Sequence, residues 1–156
     1  MHKNKLSLVE KGAERLGISI IETACRNGAQ FDRSLLESAD KMLLDLPCSG
    51  LGVMAKKPDL RFKNVDDIQK LPEVQYAILT NSLRYLKKGG RAVVSTCTLA
   101  KAENEGLIRR FLSENGGFSL VPFAVGGLDA LDGMLQLYPD THRTDGFFIA
   151  LLEKNT

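Results

Sequence analysis

The sequence has 156 residues, of which 44% are hydrophobic and 26% charged, and its formal net charge is +2. This balance is typical of one folded globular domain and excludes a disordered chain. No stretch approaches the roughly 20 apolar residues that span a membrane, and no apolar signal segment follows the N-terminus, so we expect a cytoplasmic protein.

The spacing of apolar residues in the first third of the chain predicts a helix, a strand, a short helix and a second strand. Helical spacing over residues 6–16 ends at Gly17, and the β-branched run 18–24 is typical of a strand. A short capped helix through Glu37 precedes the apolar run 42–44. Such a continuous run indicates a strand buried on both faces.

The remainder predicts a long loop, two more helices and further strands. In chain order these are a loop at 46–63, a short helix capped by Asn64, a helix at 72–86, a strand at 91–96, a helix at 100–114, a strand at 118–122, a Gly-rich loop at 125–133 and a strand at 147–152. Helices between strands imply parallel crossovers, whereas the last two strands have no helix between them. We therefore predict an α/β fold with a mainly parallel sheet and an antiparallel C-terminal strand.

Two cysteines follow predicted strands directly. Cys48 lies in DLPCSG at 45–50, and Cys97 lies in STCT at 95–98. Ligands and catalytic groups gather at the carboxyl ends of parallel strands, so these thiols indicate covalent chemistry. Cys25 has no such surroundings and is interpreted as a small buried hydrophobe. The three cysteines and two distant histidines do not form a zinc pattern, and we expect no metal.

Charged residues add two further candidates. Asp45 ends an apolar strand, where burial is costly unless the carboxylate is paired or used. Basic residues then cluster after the Cys48 loop, at Lys56, Lys57, Arg61 and Lys63. The composition alone leaves open whether this cluster is a solvated loop or a contact for RNA phosphates.

Seven segments together resemble one protein family. They are DLPCSGLGV at 45–53, KPD at 57–59, GG at 89–90, STCT at 95–98 with ENE at 103–105, LYP at 137–139 and TDGFF at 144–148. In this order they are similar to the RNA cytosine-5 methyltransferases of the Sun/Fmu type, above all those acting on bacterial small-subunit ribosomal RNA. The resemblance implies a partial Rossmann-type fold that uses S-adenosylmethionine.

The resemblance also implies roles for individual residues. Cys97 would add to carbon 6 of cytosine, Cys48 would assist release as or through the base, and Asp45 would contact both the cytosine and the cofactor region. Asn27 and Pro47 would be further cofactor contacts, although Asn27 followed by glycine is also typical of a simple turn. Phosphates of a single-stranded or flipped RNA target would meet three basic residues: Lys56, Lys57 and Arg61.

The chain departs from the family pattern at its N-terminal end. The Gly-rich cofactor loop and the ribose-binding acid of the family have no counterpart, and the alignment puts them before Met1. We therefore expect residues 1–156 to be a truncated catalytic domain that lacks the first strands and has no N-terminal RNA-binding domain. Residues 18–24 would then pair with 42–45 in a five-stranded sheet, or the free edge would promote a homodimer.

Because most of the cofactor pocket is missing from the pattern, we expect weak or no activity from the chain by itself. Two alternatives remain open. The first is a catalytically silent module that binds RNA or a protein partner. The second is a thiol redox protein that uses Cys48 and Cys97, which the absence of a Cys-x-x-Cys motif disfavours.

Overall fold

The computed structural model describes residues 3–156. Its helices are α1 (Lys3–Arg15), α2 (Val65–Leu83), α3 (Glu105–Glu114) and α4 (Pro139–His142). Its strands are β1 (Ala39–Asp45), β2 (Leu86–Thr96), β3 (Phe118–Leu120), β4 (Phe123–Val125), β5 (Leu128–Ala130), β6 (Met134–Leu137) and β7 (Phe147–Lys154). Among these residues, no helix is both long enough and apolar enough to cross a bilayer.

Five strands form one mixed sheet in the order β1-β2-β7, with β3 and β6 both pairing the far edge of β7. The pairing of β1 with β2 is parallel, as predicted for strands joined by a helix. The predicted antiparallel C-terminal strand is confirmed in β7, which runs antiparallel to β2, β3 and β6. The two short strands β4 and β5 form a separate hairpin.

Helices α2 and α3 cover one face of the sheet and enclose the core. Leu79 and Leu83 of α2 and Phe111 of α3 pack against the central strands β2 and β7. Burying such side chains contributes roughly 1.5–3 kcal/mol each. On the opposite face, Leu43 of β1 is 73% exposed. The core therefore fixes β1, β2 and β7 from one side only within the described residues.

The expectation of a strand at residues 18–24 is wrong. This segment has no regular secondary structure and lies beside α1, where the Ile18 amide donates to the Ala13 carbonyl. Ile20 is 90% exposed. A strand is stable only when its backbone groups pair with a neighbour. No described strand pairs with this segment, and the fifth strand of the sheet is β6 instead.

Several boundaries also differ from the sequence pattern. The two helices expected after Asn64 form one helix, α2, and the Asn64 side chain caps it by accepting from the Asp66 amide at 2.9 Å. Strand β2 begins at Leu86 because that residue already pairs with Ala39 of β1. The predicted Gly-rich loop holds the β4–β5 hairpin.

Candidate active site

The two cysteine loops meet at the carboxyl ends of β1 and β2. Asp45 pairs with Ser95 at the end of the parallel ladder. Cys48 follows Asp45 by three residues and Cys97 follows Ser95 by two, so both cysteines lie just beyond the same end of the sheet. The Leu46 amide donates to the Ser95 carbonyl at 3.0 Å. The two Sγ atoms lie 3.3 Å apart, and neither thiol is in a disulfide. This placement at one sheet edge is what the sequence predicted.

The segment 144–147 packs against the Cys48 loop, and the Cys48 loop against the Cys97 loop, through two glycines. The Gly52 amide donates to the Cys97 carbonyl at 3.0 Å, and the Gly146 amide donates to the Gly52 carbonyl at 2.8 Å. A Cβ on Gly52 would lie 2.0 Å from the Gly146 carbonyl oxygen. Residues 144–147 can therefore close over the Cys48 loop only because position 52 has no side chain.

The electrostatic environment keeps Cys48 protonated. Burial, followed by the hydrogen bond with the Cys97 thiol, raises the pKa of Cys48 from its ordinary 9.0 to about 11. At neutral pH Cys48 is therefore a thiol whose S–H is available to the Cys97 sulfur. It is not itself an effective base in this state.

Asp45 and Pro47 flank the thiol pair in different ways. Asp45 is exposed, so its carboxylate avoids the cost of burial, and it accepts one long hydrogen bond, 3.4 Å from Ser95 Oγ. Its carboxylate therefore faces the space beyond the sheet edge. Pro47 is exposed, and its carbonyl accepts from Gln75 Nε2 at 2.8 Å.

Buried polar side chains lie directly behind the two cysteine loops. We call Ser49, Gln75, Thr96, Thr98, Glu103, Asn104 and Gln136 the polar cluster; all but the half-buried Gln136 are buried. Ser49 Oγ and Thr98 Oγ1 lie 2.6 Å apart and join the loops directly. No local signal in the sequence marks these residues as part of the site, although the motif ENE at 103–105 contains Glu103 and Asn104. A buried acid is rare without partners, and the partners come from distant elements.

Asn27 lies apart from the Cys48–Cys97 pair. It lines a cavity of about 470 Å³ formed by residues 25–28 and 30–33 with Leu35 and Tyr85, and neither Cys48 nor Cys97 borders that cavity. Cys25 does line it and is exposed, so its interpretation as a small buried hydrophobe is wrong. Asn27 Oδ1 accepts from the Ala29 amide at 3.1 Å, which is the turn geometry expected of this dipeptide. Stacked rings of Phe31 and Tyr85 form part of the wall, with the Arg84 guanidinium over Phe31.

The predicted basic residues lie on the loop that follows Cys48, and all are exposed. Lys56 Nζ pairs with Asp145 at 2.6 Å, and Arg61 Nε donates to the Pro58 carbonyl. Lys63 Nζ donates to the Ser49 carbonyl at 2.8 Å. The basic loop is thus tied both to the Cys48 loop and to residues 144–147. Among the described residues, no group of three or more His, Cys, Asp or Glu is placed to hold a metal ion.

Comparison with known proteins identifies the family. Residues 1–153 match the family described as 16S rRNA methyltransferase RsmB/F. The chain belongs to this family. The Bacillus subtilis protein described as probable ribosomal RNA small subunit methyltransferase B is 38% identical over 99% of the chain. The chain spans 36% of the length of that relative.

Solved structures agree with this RsmB/F assignment. NSun6 from Pyrococcus horikoshii, crystallised with SFG, superposes with a TM-score of 0.81 at 31% identity, over 99% of this chain and 40% of that one. A methyltransferase homologue from the same organism gives 0.79 at 32% identity, over 98% of this chain and 51% of that one. The predicted family and α/β methyltransferase fold are therefore confirmed.

The Gly52 contact generates the first prediction for this RsmB/F chain. Gly52→Ala should lower the free energy of unfolding by roughly 1–3 kcal/mol, because two backbone carbonyls must move to admit the methyl group. Gly12→Ala in α1 is the matched control, since nothing would lie within 4 Å of the Cβ that the substitution adds. It should stabilise the chain by up to about 1 kcal/mol. Urea denaturation measures the free energy of unfolding of both variants. Equal changes in the two variants would contradict the close contact between Gly52 and Gly146.

The protonation of Cys48 generates the second prediction. Its alkylation by iodoacetamide should reach half its maximal rate near pH 11 in the folded chain and near pH 9 in the unfolded chain. Because the pKa of Cys48 is higher in the folded chain than in the unfolded chain, the protonated thiol stabilises the fold. This stabilisation is complete below pH 9 and is lost as pH rises through 11. Wild type should therefore lose more stability over that interval than Cys48→Ala. Identical alkylation profiles in both states would refute the shift.

Proposed function

We propose that this chain carries the thiol machinery of a ribosomal RNA cytosine-5 methyltransferase that uses S-adenosylmethionine. The observation that carries the proposal is the 3.3 Å separation of Cys48 Sγ and Cys97 Sγ at one sheet edge. Family membership supports the reaction class, since the matching family is described as 16S rRNA methyltransferases. Reduced thiols and a ribosomal RNA substrate fit a cytoplasmic location.

Cys97 is the proposed nucleophile. As a thiolate it adds to carbon 6 of cytosine, forming an S–C6 bond and moving electron density to carbon 5. S-adenosylmethionine, when bound, would supply the electrophilic methyl group to carbon 5, and the broken S–CH3 bond would leave S-adenosylhomocysteine. A base then removes the proton from carbon 5, the S–C6 bond breaks, and its electron pair returns to the Cys97 sulfur.

Cys48 and Asp45 are the proposed assisting groups. Because Cys48 remains a thiol, it is able to donate its S–H to the departing Cys97 sulfur, which favours release. This role replaces the direct action as a base that the resemblance left open. The exposed Asp45 carboxyl, at the same sheet edge, would hydrogen-bond the cytosine ring nitrogen as the adduct forms.

The cavity beside Asn27 is the proposed place for the adenosine part of the cofactor. Its stacked aromatic wall and polar rim suit a nucleoside, and its volume of about 470 Å³ is in the range of small-molecule sites. NSun6, with which the chain superposes, was crystallised with SFG, an S-adenosylmethionine analogue. Asp45 and Pro47 do not line this cavity, so they would contact a part of the cofactor other than the adenosine.

The basic loop is the proposed RNA contact. Lys57 and Arg61 are exposed, and Lys56 is exposed although it pairs with Asp145. Phosphates of a single strand would meet these cations while the target base enters the cysteine site. A cytosine stacked inside a helix would be out of reach of Cys97, so the target must be unpaired or flipped.

The first test follows hydrogen exchange at carbon 5, because it needs no cofactor. Reversible addition of Cys97 to carbon 6 makes carbon 5 basic, so tritium at that position of small-subunit ribosomal RNA should pass to water. We expect slow release by the wild-type chain and none by Cys97→Ala. Cys25→Ala, which changes an exposed thiol apart from the Cys48–Cys97 pair, should keep the wild-type rate, because this exchange needs no bound cofactor.

Two outcomes of this exchange experiment decide between the candidates. Release that persists in Cys97→Ala would overturn the assignment of the nucleophile. No release by wild type, together with salt-sensitive RNA binding and no calorimetric heat with S-adenosylmethionine, would favour the silent RNA-binding module. Methyl transfer by wild type that is lost in Cys97→Ala would contradict only our expectation of weak activity.

The outer edge of β1 supports a further proposal, that two copies of the chain associate there. Within the described residues β1 pairs only with β2, and Leu43 is 73% exposed beside that open edge. Unpaired strand edges favour pairing with a second chain.

Analytical ultracentrifugation tests the association. We expect a dimer in wild type and a monomer in Leu43→Lys, because a charged side chain on an edge strand opposes pairing. Leu131→Lys is the control, since Leu131 is 82% exposed but lies beyond the β4–β5 hairpin. A wild-type monomer at every concentration, or a dimer that survives Leu43→Lys, would exclude this interface.

A further inference from the structure

The polar cluster holds the chain on both sides of Cys48. On one side the Pro47 carbonyl accepts from Gln75 Nε2 at 2.8 Å, and on the other the Ser49 amide donates to Glu103 Oε2 at 2.8 Å. Gln75 Nε2 also donates to Glu103 Oε2 at 3.0 Å. Glu103 is 2% exposed and Gln75 is fully buried. One carboxylate oxygen therefore connects α2 with the residue that follows Cys48.

The same cluster holds the chain on both sides of Cys97. Thr96 Oγ1 donates to Asn104 Oδ1 at 2.6 Å, and Asn104 Nδ2 donates to the Thr98 carbonyl at 3.0 Å. Asn104 Nδ2 also lies 2.6 Å from Gln136 Oε1, and Gln136 Nε2 donates to the Phe147 carbonyl at 3.1 Å. Asn104 is fully buried. It thus ties β6 and the start of β7 to the two neighbours of Cys97.

Two consecutive residues, Glu103 and Asn104, therefore hydrogen-bond the chain next to both thiols. Glu103 acts on the Cys48 side, Asn104 acts on the Cys97 side, and the Ser49–Thr98 hydroxyl contact joins the two sides. The loop contacts of the pair fall on residues 49, 96 and 98, Gln75 carries the Glu103 side on to the Pro47 carbonyl, and the two cysteines themselves remain half-buried. General packing does not require this distribution, since an apolar side chain would fill the same space without burying a carboxylate.

We propose that Glu103 and Asn104 are positioning residues that set the distance between the Cys48 and Cys97 sulfur atoms. The inference rests on the proposed function, because a fixed thiol pair is what addition to cytosine and assisted release require. Misplacement by about 1 Å costs much of the advantage of holding two reacting groups together.

The chain offers a conservative replacement that separates the hydrogen bonds from the charge. Glu103 Oε1 and Gln75 Oε1 are both buried without a hydrogen-bond partner among the described residues. In Glu103→Gln, the amide oxygen keeps the two bonds that Oε2 accepts, and the amide nitrogen takes the place of Oε1, which accepts no hydrogen bond. Glu103→Ala removes all of these contacts. Glu105→Ala, two residues away with no hydrogen bond to either cysteine loop in the described structure, is the matched control.

The test measures how readily the two thiols meet, and it uses neither RNA nor cofactor. In a Cys25→Ser background, diamide oxidises the Cys48 and Cys97 thiols to a disulfide, is itself reduced to the hydrazine, and takes up the two protons and two electrons. Glu103→Ala should slow disulfide formation about tenfold relative to the background. Glu103→Gln and Glu105→Ala should stay near the background rate. Thermal unfolding of each variant is recorded in parallel.

A milder variant covers the case in which Glu103→Ala does not fold. Thr98→Val preserves shape but removes the contact with Ser49 Oγ and the bond that the Ala100 amide donates to Thr98 Oγ1 at 3.2 Å. It should slow disulfide formation at least about threefold, since each lost hydrogen bond costs about 1 kcal/mol. Background rates in folded Glu103→Ala or in Thr98→Val would overturn the proposal, as would a Glu103→Gln rate as slow as that of Glu103→Ala. Failure of tritium exchange with normal thiol pairing would count against the proposed function instead.

Discussion

The in-register parallel pairing of β1 with β2 is the constraint on which the site depends. Leu44 lies opposite Val94 and Asp45 opposite Ser95, so both strands end at one level and the loops that follow them meet. A slip of one residue would shift each strand by about 3.3 Å and move Val94 out of the core. Burial of the apolar face thus fixes the register, and the register fixes the neighbourhood of the sulfur atoms.

Register alone does not fix the loops, and the polar cluster completes the arrangement. Its members come from both cysteine loops, from α2, from the 3₁₀ turn Lys101–Glu103 and from β6. Buried polar groups are costly unless all of them are paired, so the cluster is stable only when these elements are together. Core packing therefore supplies most of the stability, whereas the cluster defines one geometry for the thiol pair.

The sequence predicted the thiols, β7 and most of the helices because each has a local signal. Cys48 and Cys97 lie in motifs, and the residues of α3 repeat with helical spacing. Glu103 was missed as a site residue because nothing local distinguishes a buried glutamate from an exposed one. The β-branched composition of residues 18–24 predicts a strand, but pairing is a property of two segments, and among the described residues no strand pairs with them.

The thiol pair and the predicted cofactor contact belong to different parts of the chain. Every residue that holds the cysteines, including the Gly52–Gly146 contact, lies between β1 and β7, whereas Asn27 lies before β1 and lines a cavity of its own. The geometry of the thiol pair is therefore set by contacts that do not include the residues around Asn27. Bringing the two thiols together and forming the cavity beside Asn27 are thus separable properties of this fold.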